Sequence, residues 1–232
     1  MKPTIVLLAT GLSFALLNNH LPADISRSAA TSFTHTIEDN LYQSMDLKDH
    51  GLSEQAFDLA LKGYNHLLSQ QQINPHYLAI CDFSQCSHKK RLYIIDMNSE
   101  KLVVNTYVAH GRNSGVDEAA GFSNQPGSLQ SSLGFFITDA TYIGEHGLSL
   151  RLKGMEPGIN DRAMERGIVV HGATYVSASR AQTGAFMGRS FGCPAVPQQE
   201  SRSIINLIKN GTCLFIYHPS GNYLQLSKIL NG

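Results

Sequence analysis

Two residues of reactive type, His171 and Cys193, stand 22 positions apart. His171 follows the apolar run Ile168-Val169-Val170 and precedes Gly172, so a buried strand would deliver an imidazole at its end. Cys193 lies in Arg189-Ser190-Phe191-Gly192-Cys193-Pro194, a glycine-containing turn that can present a thiol above backbone N–H groups. Such donors favour the thiolate, which is the nucleophile, and a nearby imidazole can take the thiol proton. The amides of Gly192 and Cys193 can also point at a developing oxyanion. Spacing alone leaves a plainer reading open, a satisfied core histidine and an inert thiol.

The elements that must position this pair are mostly strands. Short runs rich in Val, Ile, Leu, Tyr and Thr at 77–83, 91–97, 101–109, 134–142, 148–152, 167–171 and 212–217 predict strands, with 98–100 turning the second into the third. Between them, glycine and polar loops occupy 111–132. Two helices are expected. One runs from Leu52 to Leu68, where Ala56, Phe57, Ala60, Leu61, Tyr64, Leu67 and Leu68 share a face behind a Ser53 N-cap. The other runs over 197–210, with Pro197 near its start and Gly211 past its end. The fold class is therefore β-rich, mainly β with a few helices.

Composition narrows the function. The 232 residues carry 18 Lys+Arg against 18 Asp+Glu, so no excess positive charge exists to release counterions from a nucleic acid. Hydrophobic residues at 42% supply a core, which excludes wholesale disorder. Lys2 followed by an apolar stretch over 4–17 reads as an export signal, too short for a membrane span of about 20 residues. The expected organisation is a signal peptide at 1–23, a tether and amphipathic helix at 24–75, and a catalytic domain at 76–232. No second long apolar run follows, so an integral membrane protein is not expected.

Four cysteines stand at 81, 86, 193 and 213. Outside the cytoplasm cysteines usually pair. Cys81 and Cys86 are close enough in sequence to do so, while Cys213 lies in an apolar strand and reads as an inert buried thiol. His110 and His146, each followed by glycine, either line a cleft or brace loops. With His171 and Cys193 they lack the short ligand spacing of common zinc motifs, so no metal is expected there. Arg151 and Arg162 either meet substrate carboxylates or are solvated at the surface.

Ser190-Phe191-Gly192-Cys193 with His171-Gly172 upstream resembles the L,D-transpeptidase family of peptidoglycan enzymes, which carry His-Gly or His-Ser followed by Ser-His-Gly-Cys. Ser131-Ser132-Leu133-Gly134-Phe135-Phe136 looks like a variant of the family's Thr-Pro-x-Gly-x-Phe. The wording of 188–196, with 109–115 and 146–150, is closer to a divergent branch labelled murein L,D-transpeptidase catalytic domain. The likeness spans roughly 77–220. Two departures stand out: Phe191 replaces the motif's histidine, and Pro194-Ala195 replaces an apolar residue followed by Arg or Asn.

The resemblance implies a single catalytic domain of mixed sheets and a two-step acyl transfer. Cys193 attacks the L-centre to D-Ala amide of a tetrapeptide stem, and His171 acts as base and then acid. The Gly172 carbonyl orients His171. Ser190 and Gly192 serve substrate or oxyanion, as do His110 and His146 if they line the cleft, and Arg189 stands in for the lost polar residue. A second stem amine resolves the thioester into a 3→3 crosslink, or water gives carboxypeptidase activity. No cofactor is implied, the partners are peptidoglycan stem peptides rather than nucleic acid, and the location is periplasmic or cell-envelope. Two alternatives remain. One is a cell-wall cysteine peptidase, disfavoured because such enzymes place Cys before His. The other is a non-catalytic wall-binding module with a degenerate site, favoured if Cys193 is oxidised to another cysteine.

Overall fold

The computed structural model describes residues 41–187 and 189–232. The apolar stretch at 4–17 lies outside the described residues. Those from 41 onward belong to one compact unit, Glu38–Gly232.

Helix α1 (Glu54–Ser69) starts where the Ser53 side chain accepts from the Ala56 amide at 3.2 Å, which satisfies one of the orphan donors of the first turn. Its buried face carries Ala56, Phe57, Ala60, Leu61, Gly63, Tyr64 and Leu67. That face packs on strands β1 (Tyr77–Asp82) and β8 (Cys213–Tyr217). Strands β2 (Leu92–Asp96) and β3 (Lys101–Thr106) form the expected hairpin. At its turn, Asp96 Oδ1 accepts from the Asn98 and Ser99 amides at 2.9 and 3.1 Å. The long strands β4 (Gly134–Gly144) and β5 (Gly147–Gly154) form a second hairpin whose tip is Glu145-His146. Strands β6 (Val169–Ala173) and β7 (Ala195–Pro197) complete one eight-stranded mixed sheet, ordered β3-β2-β1-β8-β4-β5-β6-β7.

Strand β8 sits mid-sheet, parallel to β1 and antiparallel to β4, and all five of its residues are buried. Its continuous apolar run suits a strand covered on both faces. Strands β6 and β7 are parallel, so the chain needs a crossover between them, and residues 174–194 supply it with the short helix α2 (Ala178–Gln182). Helix α3 (Ser201–Ile208) packs on β5 and β6. Two further helices, α4 (Gly221–Leu226) and α5 (Lys228–Asn231), close the far end. Among the described residues no helix is long and apolar enough to cross a membrane.

Buried Glu156 ties these last helices to the sheet. It accepts from the Phe135 amide at 2.8 Å, from Tyr223 Oη at 3.2 Å and from Ser227 Oγ. Burial raises its carboxyl pKa, and the three donors oppose that rise.

The structure departs from the sequence reading in several places. Pro197 ends a strand rather than opening a helix, which starts at Ser201, and helices α2, α4 and α5 were not expected. Tyr42, Met45 and Leu47, within the stretch read as a tether, are core residues of the same compact unit as the strands. Their spacing follows turns rather than one helical period, so no periodic signal marks them. Strand β7 was not expected, being three residues long and recognisable only by its partners.

Gly63 faces the buried Phe135 ring, which stacks on Phe215 at 4.2 Å. A Cβ there would stand 2.0 Å from Phe135 Cζ. Gly63→Ala gains about 1 kcal/mol of helix propensity, yet overpacking a fixed ring costs roughly 1–3 kcal/mol and lies at the upper end here. Net destabilisation of about 1–2 kcal/mol is expected in urea unfolding.

Candidate active site

Strand β6 sets the position of His171. It pairs with Ser149 on β5 and with Ala195 on β7, and the residue is 2% exposed. Cys193 precedes Ala195 by two residues, as Val169 precedes His171, so the register brings Cys193 beside Val169. The Val169 amide accordingly donates to Cys193 Sγ at 3.4 Å. His171 and Cys193 both line a cavity of about 530 Å³, together with Tyr142, His146, Arg166, Tyr175, Arg189, Ser190 and Phe191. This volume suits a small ligand or a peptide segment.

The loop carrying Cys193 is fixed at both ends. Ala109 and Ala195 exchange backbone hydrogen bonds at 2.8 and 3.3 Å, Ser190 N donates to His110 O, and Arg112 N donates to Ser190 O at 2.7 Å. Inside the loop, Ser190 Oγ donates to Cys193 O and accepts from the Gly192 amide. Ser131 Oγ accepts from the Gly111 amide and donates to Gly192 O at 3.1 Å. Gly192 has φ +123°, and a Cβ would meet Gln130 O at 2.8 Å and an Arg166 Nη at 3.2 Å, so glycine is required on two counts.

His171 Nδ1 lies 3.0 Å from Gly172 O. A carbonyl can only accept, so Nδ1 carries the proton and Nε2 keeps a lone pair. Exposed His146, from the β4–β5 tip, stacks on the His171 ring at 4.2 Å and 20°. Burial pushes the His171 pKa down, the Gly172 carbonyl opposes this, and His146 adds to it. Burial pushes the Cys193 thiol up, while the Val169 amide and the Arg166 charge pull it down. Burial, the largest influence on each, thus favours the uncharged form of both groups. No hydrogen bond joins sulfur to imidazole among the described residues, and Sγ instead points to Gly167 O at 3.7 Å.

The other expected residues fall in different places. The Gly192 amide is engaged by Ser190, whereas the Cys193 amide has no hydrogen bond among the described residues. Arg189 lines the cavity but is tethered to the carbonyls of Arg112 and Gly115 at 3.0 and 2.6 Å. His110 does not line the cavity. It is fully buried, with Nδ1 2.8 Å from the Arg91 guanidinium, and its pKa is pushed down to about 4 by burial and by that charge. Arg162 pairs with Glu165 at the surface, and Arg151 lies over the Tyr142 ring at 4.6 Å. Phe191 is 66% exposed at the cavity wall, 5.7 Å from the Arg112 guanidinium. All four cysteines are free thiols. Cys81 and Cys213 are sealed in strands, and burial pushes Cys81 up to about 12.

Sequence reasoning missed Arg166. Its guanidinium donates to Ser123 O, Ser132 Oγ, Ser128 Oγ and Gln130 O, at 2.5 to 3.3 Å, and it lines the cavity beside Cys193. Its partners lie 34 to 43 positions away, so no local motif announces it. The polar 111–132 loops are what hold this charge in place. Tyr175 was also missed, and burial, with a smaller effect from Cys193, raises its hydroxyl pKa to about 12.

A profile of the L,D-transpeptidase catalytic domain matches residues 48–217, and the chain belongs to that family. Among solved structures it is similar to an L,D-transpeptidase from Mycobacterium smegmatis, at 10% identity and TM-score 0.39, covering 62% of this chain and 59% of that one. It is also similar to the LD transpeptidase LdtMt1 in complex with imipenem, at 11% identity and TM-score 0.40, covering 61% and 59%. A third is the helical cell shape determining protein Pgp2 from Campylobacter jejuni, at 13% identity and TM-score 0.40, covering 67% and 55%. Each match spans less than two thirds of the solved chain. No curated protein matches.

The Arg166 charge holds the Cys193 pKa down, so removing it should let the thiol pKa rise. Arg166→Gln is expected to raise the thiol pKa and slow iodoacetamide labelling of Cys193 at neutral pH, roughly several-fold. Labelling is followed by peptide mass, with Cys213 inert in both proteins.

Proposed function

We propose that the chain is an exported cysteine acyltransferase acting on peptidoglycan stem peptides. The observation that carries this reading is that Cys193 and His171 line one cavity in a chain of the L,D-transpeptidase family. The expected signal at 1–23 supports export, and the part of 76–232 that carries the site supports a catalytic domain there.

The reaction begins with the neutral pair. Cys193 turns from the Gly167 carbonyl toward the cavity, and His171 Nε2 takes its proton as sulfur attacks the amide carbonyl between an L-centre and D-Ala. The tetrahedral oxyanion meets the unengaged Cys193 amide, and Arg166 offsets the added charge. Protonated His171, held by Gly172 O, returns its proton to the leaving D-Ala amine, and a thioester remains on Cys193. A second stem amine then attacks with His171 as base, giving a 3→3 crosslink and restoring the thiol. Water in place of the amine gives hydrolysis. Arg189 and Phe191 at the cavity wall contact the stem, and Ser190 holds the loop in shape.

Free thiols at all four cysteines support a competent nucleophile over a disulfide-blocked, degenerate wall-binding module. The His-before-Cys order continues to disfavour the ordinary wall peptidases.

Incubation with disaccharide-tetrapeptide is expected to give a dimer lacking one D-Ala, read by mass spectrometry, and Cys193→Ala is expected to give none. Identical products from both proteins would refute the reading. The lowered His171 pKa predicts an acid limb of kcat/KM below the ordinary histidine value of about 6.5, because the free base persists to lower pH. His146→Ala removes a group that lowers this pKa, so the limb should move up toward 6.5. An unmoved limb would separate His146 from the base.

A further inference from the structure

Away from the cavity, Cys86, His88 and Asp117 gather a thiol, an imidazole and a carboxylate whose ligand atoms all lie within 4.8 Å of one another. We propose that this cluster binds one divalent late-transition cation, with zinc as the fitting ion, through Cys86 Sγ, His88 Nδ1 and an Asp117 carboxylate oxygen. Sulfur, imidazole nitrogen and carboxylate oxygen are the donor types of tetrahedral zinc sites.

The geometry is close to complete. His88 Nδ1 lies 3.1 Å from Asp117 Oδ2. Two ligands about 2.0–2.1 Å from a tetrahedral zinc stand about 3.3 Å apart, so a cation fits where the two groups now share a proton. A thiolate about 2.3 Å from the same ion stands about 3.5 Å from each of them, a separation that rotation about the Cys86 side-chain bond can reach. Cys86 is half-buried, and its sulfur contacts Glu118 Oε1 at 3.5 Å. Glu118 can supply a fourth oxygen, with water as the other source.

The carboxylate is already oriented. Ser87 donates to Asp117 Oδ1 from its amide at 3.1 Å and its hydroxyl at 2.7 Å, and His88 Nδ1 lies 3.2 Å from Oδ1 and 3.1 Å from Oδ2, so both oxygens face the imidazole and Oδ2 is the one not held by Ser87. Support of this kind around a ligand is typical of metal centres. A solvated His–Asp ion pair accounts for His88 and Asp117 but gives no reason for a thiol beside two carboxylates. A cation does, because it offsets their charge. Binding releases the Cys86 proton, and any His88 Nδ1 proton, to solvent.

Such an ion would staple two loops that also support the Cys193 segment. Ser87 Oγ accepts from the Met187 amide at 3.0 Å, and Gly115 O accepts from Arg189.

The test uses the purified chain with Cys193→Ala, so that the cavity thiol cannot report, stripped with EDTA and kept reduced. Titration with Co(II) is expected to give a sulfur-to-cobalt charge-transfer band saturating at about one equivalent and abolished by Zn(II). Cys86→Ser is expected to remove the band. His88→Ala is expected to weaken binding at least about tenfold. Zinc should raise the melting temperature of the parent but not of Cys86→Ser, while the metal-free melting temperatures agree and show that the fold is intact. No band in the parent, or undiminished zinc affinity in either variant, would overturn the proposal.

Discussion

The site depends on a strip of main chain, residues 109–112, that hydrogen-bonds to both limbs of the loop from Ser190 to Ala195. Residue 195 is held on one side by β6 and on the other by Ala109, so Cys193 enters a strand that is paired along both edges. A three-residue strand has little stability of its own, and its geometry is imposed by these neighbours. The Ser131 hydroxyl, bridging Gly111 and Gly192, locks the same unit from below the turn. The position of one sulfur atom is thus set by ordinary backbone and hydroxyl contacts drawn from three distant stretches of sequence.

Electrostatics follow from this confinement. Burial works against charge on both reactive groups, lifting the thiol and lowering the imidazole. Arg166, whose charge lowers the thiol pKa, has its guanidinium held by carbonyls and hydroxyls, with no carboxylate among its hydrogen-bond partners in the described residues. A positive charge held in this way favours negative charge on or near the sulfur.

The strands and α1 were legible because their signals are local: β-branched runs, a helical face and a serine cap. The loop sequence around Cys193 and the strand ending at His171 were legible for the same reason. Arg166 was not, since its meaning comes from serines and carbonyls more than thirty positions upstream. His110 illustrates the converse: a histidine-glycine pair invites a functional reading, yet its ring is spent on buried Arg91. The chain from 42 to 52 escaped because its apolar residues serve a series of turns, a pattern that no simple period captures.

Glu156 has a consequence for the stability of the sheet. Its carboxylate lies under β4, and two of its three donors, Tyr223 and Ser227, follow every strand of the sheet in the chain. Without those helices this buried carboxylate keeps one of its three donors, the Phe135 amide, so a polar group under the sheet is left short of partners at a free-energy cost. Docking of the last two helices thereby contributes to the stability of the sheet itself.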